Sequence, residues 1–395
     1  MSQSASSTER LRARDAIPGL YLGRWPTGPL NSLTDVPGVL VHTESIQPDS
    51  SINTGLTTIV PRPDWVANSC FAGIFSFNGC GELTGSHWIE ETGLLTSPIM
   101  LTSTASVGDA FRGIMEYCYR FHKDEEGEMP LFVFPVVAET YDGYLSDLGR
   151  FPLTAEHAIR GIQNASADRV PEGNTGGGTG MICHRFKGGT GSSSRVIKGL
   201  DADGKEVNYT VAALVQANYG APDTFHLGGV PVGHILKTEN AAKEEAATAS
   251  APPTKEPRKD GSIIIVLATD APLLPVQLQR LAKRATVGLG KVGGYGNNTS
   301  GDIFLAFSTA NSIPVQEVSM SGKPARPVHP YQPSPMGVQM TDNDSINGLF
   351  EGAADATEEA IYNAIFMAND MTGLKGRVVP AMDIPKIKAI VEKRL

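Results

Sequence analysis

No stretch of this chain is long and apolar enough to cross a membrane as a helix, which takes roughly 20 consecutive apolar residues. Its start, MSQSASSTERLRARDAIPGL, is polar and lacks the apolar segment of a secretory signal, so a cytoplasmic location is the expectation. Cysteine is scarce: Cys70, Cys80, Cys118 and Cys183 are scattered without CxxC or Cys/His ligand spacing, which reads as reduced core thiols rather than a metal or disulfide framework. Positive charge is also in deficit. With 33 Lys and Arg against 42 Asp and Glu, the net charge of -9 gives no electrostatic footprint for nucleic acid or an anionic membrane surface, and favours small or cationic ligands. Glu82, His87, Glu90 and Glu91 form no HExxH or matching pair, so they do not make a metal site. The glycine-rich EGNTGGGTG, residues 172–180, lacks the Gly-Lys-Ser/Thr ending of a phosphate loop and reads as a turn lining a cleft. Neither a metal nor an organic cofactor is expected.

What the chain does have is 395 residues, 41% of them hydrophobic, with 43 glycines and 27 prolines. That suits a globular protein with a deep core and many tight turns. Strand-like apolar runs fall at 56–60, 70–77, 131–137, 181–186 and 209–217, with helical periodicity at 107–119 and 154–165, where Thr154 and His157 mark a helix start. The segment 237–260 is rich in Ala, Glu, Lys and Pro and has no large apolar anchor, so it reads as a flexible linker. Beyond it, 263–268 is a buried strand, Pro275 opens a helix with Leu278, Leu281 and Ala285 on one face, and 303–308 is another strand. Leu349, Ala353, Ala356, Ala360 and Ala364 describe a small-residue helix face suited to close packing. Strands and helices on both sides of the linker indicate one α/β or α+β layered body with a shared core.

Ser262 is the informative residue. It follows Gly261 and opens the run GSIIIVLATDAPL directly behind the linker. A cut at Gly261-Ser262 would give Ser262 both a hydroxyl and a free α-amine, a nucleophile and its base on one residue. A strained turn at Gly261 could present its carbonyl to the hydroxyl; the competing reading is an ordinary turn glycine followed by a strand-capping serine. Ser300 and Asp302 sit two apart at a strand entrance in GGYGNNTSGDIFLAFSTAN, either as partners of Ser262 or as a turn with a local cap. Asn218, ending the strand of VQANYGA, is placed to donate to an oxyanion or to form a turn. In PVVAETYDG, Glu139 can pair with a cationic amine and Tyr141 can donate a hydrogen bond, or the two form a satisfied strand end.

Taken together, TDVPGV, NTGLTTIVPR, NGCGELTGSHWIEETGLL, PVVAETYDGYL, EGNTGGGTGMICHRFKGGTGSSSR, VQANYGA, GSIIIVLATDAPL and SGDIFLAFSTAN, in that order, resemble the self-processing L-aminopeptidase/D-esterase-amidase and β-aminopeptidase family typified by DmpA. The resemblance implies an α+β fold, a four-layer αββα sandwich related to that of ornithine acetyltransferase. It implies cleavage before Ser262 into an α chain, 1–261, and a β chain, 262–395, that stay together in one domain and assemble as homo-oligomers of such pairs, often four. It also implies that Ser262 is the nucleophile, Ser300 and Asp302 its supporting partners, Asn218 and Tyr141 the oxyanion hole, and Glu139 the receptor of the substrate's free amine. Some β-aminopeptidase members carry Glu where this chain has Asp302. The expected activity is removal of an N-terminal residue from small peptides, amides or esters through an acyl-Ser262 intermediate. Two rivals are an acyltransferase of the ornithine acetyltransferase type, which uses threonine in place of Ser262, and a non-catalytic glycine-loop binding protein.

Overall fold

A computed structural model describes residues 10–246, 261–317, 329 and 331–395. The strands of five residues or more are β1 (Leu40–Ile46), β2 (Thr54–Val60), β3 (Asn68–Gly79), β4 (Ile99–Ser103), β5 (Val136–Thr140), β6 (Gly189–Leu200), β7 (Glu206–Asn218), β8 (Ser262–Thr269) and β9 (Gly301–Pro314). The helices of nine or more are α1 (Val107–Phe121), α2 (Ala155–Gln163), α3 (Val232–Ala246), α4 (Pro275–Val292), α5 (Asn347–Phe366) and α6 (Ile384–Glu392).

One sheet has the order β1-β2-β4-β5, and the other runs from the short Leu94–Leu95 edge through β3-β9-β8-β7-β6. Within them β4/β5 and β8/β9 are parallel and the remaining pairs antiparallel. Every position of β8 is buried, and its side chains divide by parity. Ile263, Ile265 and Leu267 join Leu278, Leu281 and Ala285 of α4 and Ala353, Ala356 and Ala360 of α5 on the helix side. Ile264, Val266 and Ala268 meet Ile59, Leu101 and Ala138 of the first sheet. A strand covered on both faces reads as a continuous apolar run, which is why IIIVLA shows no alternation. On the far side of the first sheet, Leu56, Val60, Met100 and Val137 pack against Ala110, Ile114 and Cys118 of α1 and Ala158 and Ile162 of α2. The layers are therefore helix, sheet, sheet, helix: the αββα sandwich that the resemblance implied.

At the start of α2, Thr154 and His157 form a reciprocal cap, with the Thr154 amide donating to His157 Nδ1 at 3.1 Å. Two strand boundaries differ from expectation. The run 131–137 contributes only its last two residues to β5, because Pro135 has no N–H to give a ladder; upstream, Phe132 pairs by its amide with Gln316 instead. Residues 181–186 make no single strand but a tight hairpin, Ile182–Cys183 against Phe186–Lys187, turned by left-handed His184 and Arg185. The start of the expected linker is helical, since α3 continues through Ala246; an Ala, Glu and Lys composition is also what a helix favours. Residues 247–260 lie outside the described residues. Cys70, Cys118 and Cys183 are buried thiols pushed up to about 12 by burial, whereas Cys80 is exposed and is not a core residue. Among the described residues no helix is long and apolar enough to cross a membrane.

Candidate active site

The ends of β5, β7, β8 and β9 meet at one edge of the sandwich. Ser262 opens β8 directly across from Asn218, the last residue of β7, while Ile263 pairs with Asp302 on the parallel strand β9. The Gly301 amide donates to Ser262 Oγ at 3.1 Å. A register shift between Asp302 and Ile303 against β3 marks a bulge beside these residues, a device that re-aims side chains where a sheet serves a site.

Asp302 is 2% exposed, and its Oδ1 accepts from Ser300 Oγ at 2.6 Å and from the Ile263 amide at 3.2 Å. Burial pushes its carboxyl up to about 6, with those two hydrogen bonds pulling the other way. Asp302 thus fixes both Ser300 and the backbone that follows the Ser262 side chain.

The Asn218 carboxamide is held at both ends: Nδ2 donates to the Tyr141 carbonyl at 3.0 Å and Oδ1 accepts from the Ile182 amide at 2.9 Å. An amide nitrogen carries two protons, so the Tyr141 carbonyl takes one and leaves one for a ligand. Tyr141 joins the site through this main-chain carbonyl, while its ring is 44% exposed and lies over Gly143.

Glu139 is the penultimate residue of β5 on the opposing sheet and is buried. Its Oε1 accepts from the Glu82 amide at 3.2 Å and its Oε2 from the Thr104 hydroxyl. Burial pushes its carboxyl up, against the hydrogen bonds from Thr104 and Glu82. Gly81 lies between the two halves of the site: a Cβ there would stand 3.2 Å from Gly301 Cα and 3.5 Å from Glu139 Oε1.

Gly261 is needed for space. A Cβ at that position would fall 1.8 Å from the Asn218 carbonyl oxygen, whereas its backbone is not left-handed, so the strained turn expected from sequence is not what selects glycine here. The 172–180 loop is packed inside rather than lining a cleft: Glu172 is bound by Arg12 at 2.6 Å and Gly176 to Gly180 are all buried. His87 packs edge-on against Phe134, and among the described residues no group of His, Cys, Asp and Glu is arranged to hold a metal ion.

The structure therefore brings Ser262, Ser300, Asp302, Asn218 and Glu139 to one edge, with Tyr141 attached by its backbone. The main-chain donors of Gly301, Ile182 and Glu82 were not legible, since any residue type supplies an amide. The Thr104 hydroxyl also went unmarked in the sequence.

Residues 31–379 match the sequence profile of peptidase family S58. The β-peptidyl aminopeptidase BapA of Sphingosinicella microcystinivorans is 40% identical, the alignment covering 98% of this chain and 94% of that one. A β-aminopeptidase structure from a Burkholderia species superposes with a TM-score of 0.81 at 40% identity, over 97% of this chain and 99% of its own. The L-aminopeptidase D-Ala-esterase/amidase of Ochrobactrum anthropi, described as a prototype of the serine aminopeptidases and a variant of the Ntn hydrolase fold, gives a TM-score of 0.79 at 36% identity, over 97% and 98% of the two chains.

Proposed function

The chain belongs to peptidase family S58 and is an aminopeptidase, and on that premise we propose that it makes its own nucleophile by cutting the Gly261-Ser262 bond. In the first step Ser262 Oγ attacks the Gly261 carbonyl carbon, the C–N bond breaks as the acyl group moves from nitrogen to oxygen, and water hydrolyses the ester. The products are a Gly261 carboxylate and a Ser262 α-amine. The steric demand for glycine beneath the Asn218 carbonyl supports a cleavage point tailored at this bond.

In turnover the neutral α-amine, with a reference pKa of about 7.7 to 8, accepts the Oγ proton as Oγ bonds to the substrate carbonyl carbon. The oxyanion takes the remaining Asn218 Nδ2 proton together with a hydrogen bond from Tyr141, whose main-chain carbonyl holds that amide in place. The ammonium then protonates the departing amine, and water releases the amino acid from Ser262. Glu139, buried on the opposing sheet, pairs with the substrate's free ammonium. Small peptides, amides and esters with a free N-terminus are the substrates. The two pieces act together as homo-oligomers of α/β pairs, four being favoured, supported by the exposed apolar side chains of Met336, Val338 and Met340 on one segment.

The observation that carries this reading is the placement of Ser262 Oγ against the Gly301 amide, between the Ser300–Asp302 pair and Asn218. Denaturing mass spectrometry tests it. The purified protein should give a fragment beginning at Ser262, and Ser262→Ala should remain one inactive 41.9 kDa chain. An uncut parent with full peptidase activity would overturn it.

A further inference from the structure

Lys187 is fully buried in a part of the molecule that the proposed reaction does not touch. It ends the 182–187 hairpin, and its Nζ donates to the carbonyls of Met181 at 2.8 Å, Gly188 at 2.9 Å and Gly178 at 3.3 Å. Those bonds use all the protons of an ammonium. The segment they gather, Gly178 to Gly188, contains the Ile182 amide that fixes Asn218 Oδ1. The other anchor of Asn218 is the Tyr141 carbonyl, and the next residue, Asp142, is buried with Oδ1 accepting from Ser103 Oγ at 2.7 Å. Asp142 also presses on the same segment: a Cβ on Gly180 would come within 2.9 Å of Asp142 Cβ. Both supports of one carboxamide are thus tied to one buried lysine and one buried aspartate.

We propose that Lys187 is a positioning residue for the Asn218 carboxamide, its three carbonyl bonds locking the hairpin whose Ile182 amide aims that group at the oxyanion. The inference rests on the reading of Asn218 given above. Burying an amine is unfavourable unless its partners are well placed, and here three carbonyls of one segment converge on it. Burial pushes the Lys187 ammonium down to about 7, with Asp142 and then Cys183 pulling it back.

The test uses the full chain as Lys187→Met, which keeps the length and removes every donor, and Lys187→Gln, which keeps a neutral amide. The kcat and KM for an aminoacyl p-nitroanilide are measured per processed Ser262 terminus counted by mass spectrometry, with thermal melting as a control for folding. Removing an oxyanion donor costs 10² to 10³ in kcat, so misaiming one in Lys187→Met should cost about 10- to 100-fold with KM within about threefold, and Lys187→Gln should fall between it and the parent. A folded Lys187→Met precursor that stays whole supports the assignment if Asn218→Ala stays whole as well, and overturns it if Asn218→Ala is cut. The assignment fails if Lys187→Met keeps kcat within about threefold, if the loss is in KM alone, or if neither variant folds. Asn218→Ala separates the two claims. Full activity in that variant removes the oxyanion reading itself, whereas a slow Asn218→Ala beside a normal Lys187→Met removes only the role of Lys187.

Discussion

Asp302 touches Ser300 and the Ile263 amide through a single carboxylate oxygen; both contacts favour the carboxylate, but the cost of burying its charge outweighs them. Its carboxyl is raised to about 6 in the folded protein. A raised carboxyl means that the folded state binds the proton more tightly than the unfolded chain: stability declines as pH climbs from about 4 to about 6 and is flat above that window. Under the proposed mechanism activity should move the other way, because the working form there is the carboxylate. With the Ser262 α-amine also needing to be neutral, log kcat/KM should rise with slope two below about 6 and slope one from there to about 8. Asp302→Asn should erase the lower bend and slow turnover about tenfold or more, since it alters a group that orients the nucleophile's neighbours. A bend near 6 that survives in Asp302→Asn would assign it to another group. At this scale the sequence was most readable where a polar residue sits at or next to the end of an apolar strand, as Asn218, Glu139 and Asp302 do. It was least readable at Lys187, because lysine is almost never fully buried and nothing in the spelling CHRFKGG marks it as an exception.

Among the elements, α5 shows how far periodicity carries. The small residues at 349, 353, 356, 360 and 364 marked a packing face, and all of them are buried. Periodicity missed that the charged side of the same helix is buried too. Glu359 is inaccessible and pairs with the equally buried Arg195 at 2.7 Å, with Arg14 at 2.7 Å and with the Asn31 amide at 2.7 Å. These partners come from segments more than 160 residues away, so no local pattern could announce them. Burial raises the Glu359 carboxyl, but the bonds from Arg14 and the field of Arg195 outweigh it and hold the group below the usual carboxylate range. A depressed carboxyl stabilises the fold above the unfolded pKa, and that contribution is lost as pH falls through the lower folded value. Glu359→Gln leaves the Arg195 guanidinium unpaired inside the protein, which should cost about 3 to 5 kcal/mol by denaturant titration at pH 7. A loss below about 1 kcal/mol would show that the pair is no better than an exposed one. The 181–186 hairpin has the same moral: His184 and Arg185 in left-handed conformations have neither the Gly nor the Asn that would have signalled the turn.

For the molecule as a whole, the layered α+β body was legible because apolar runs with helices between them recur on both sides of 237–260, but the strand order was not. β8 and β9 are inserted between β7 and β3, so the segments before and after Gly261 share one sheet. That pairing depends on contacts distant in sequence. It also means that a cut at 261 leaves the fragments joined by the β7/β8 and β3/β9 ladders, while β8 and β9 stay paired within the second fragment. Assembly beyond the pair is the remaining question at this scale. Met336, Val338 and Met340 are 45%, 45% and 51% exposed, and their segment is tied down at Gln339 by mutual hydrogen bonds with Asn311 and at Thr341 by Gln277. A fixed backbone presenting repeated apolar side chains to water suits an interaction surface, and under the proposed homo-oligomer its partner is a second copy. Native mass spectrometry should therefore find multiples of the 41.9 kDa unit. Replacing the three side chains together with serine should lower the multiple without changing cleavage before Ser262. A parent that flies as a single unit removes the oligomer, and a triple variant with the parent's multiple moves the contact to another face.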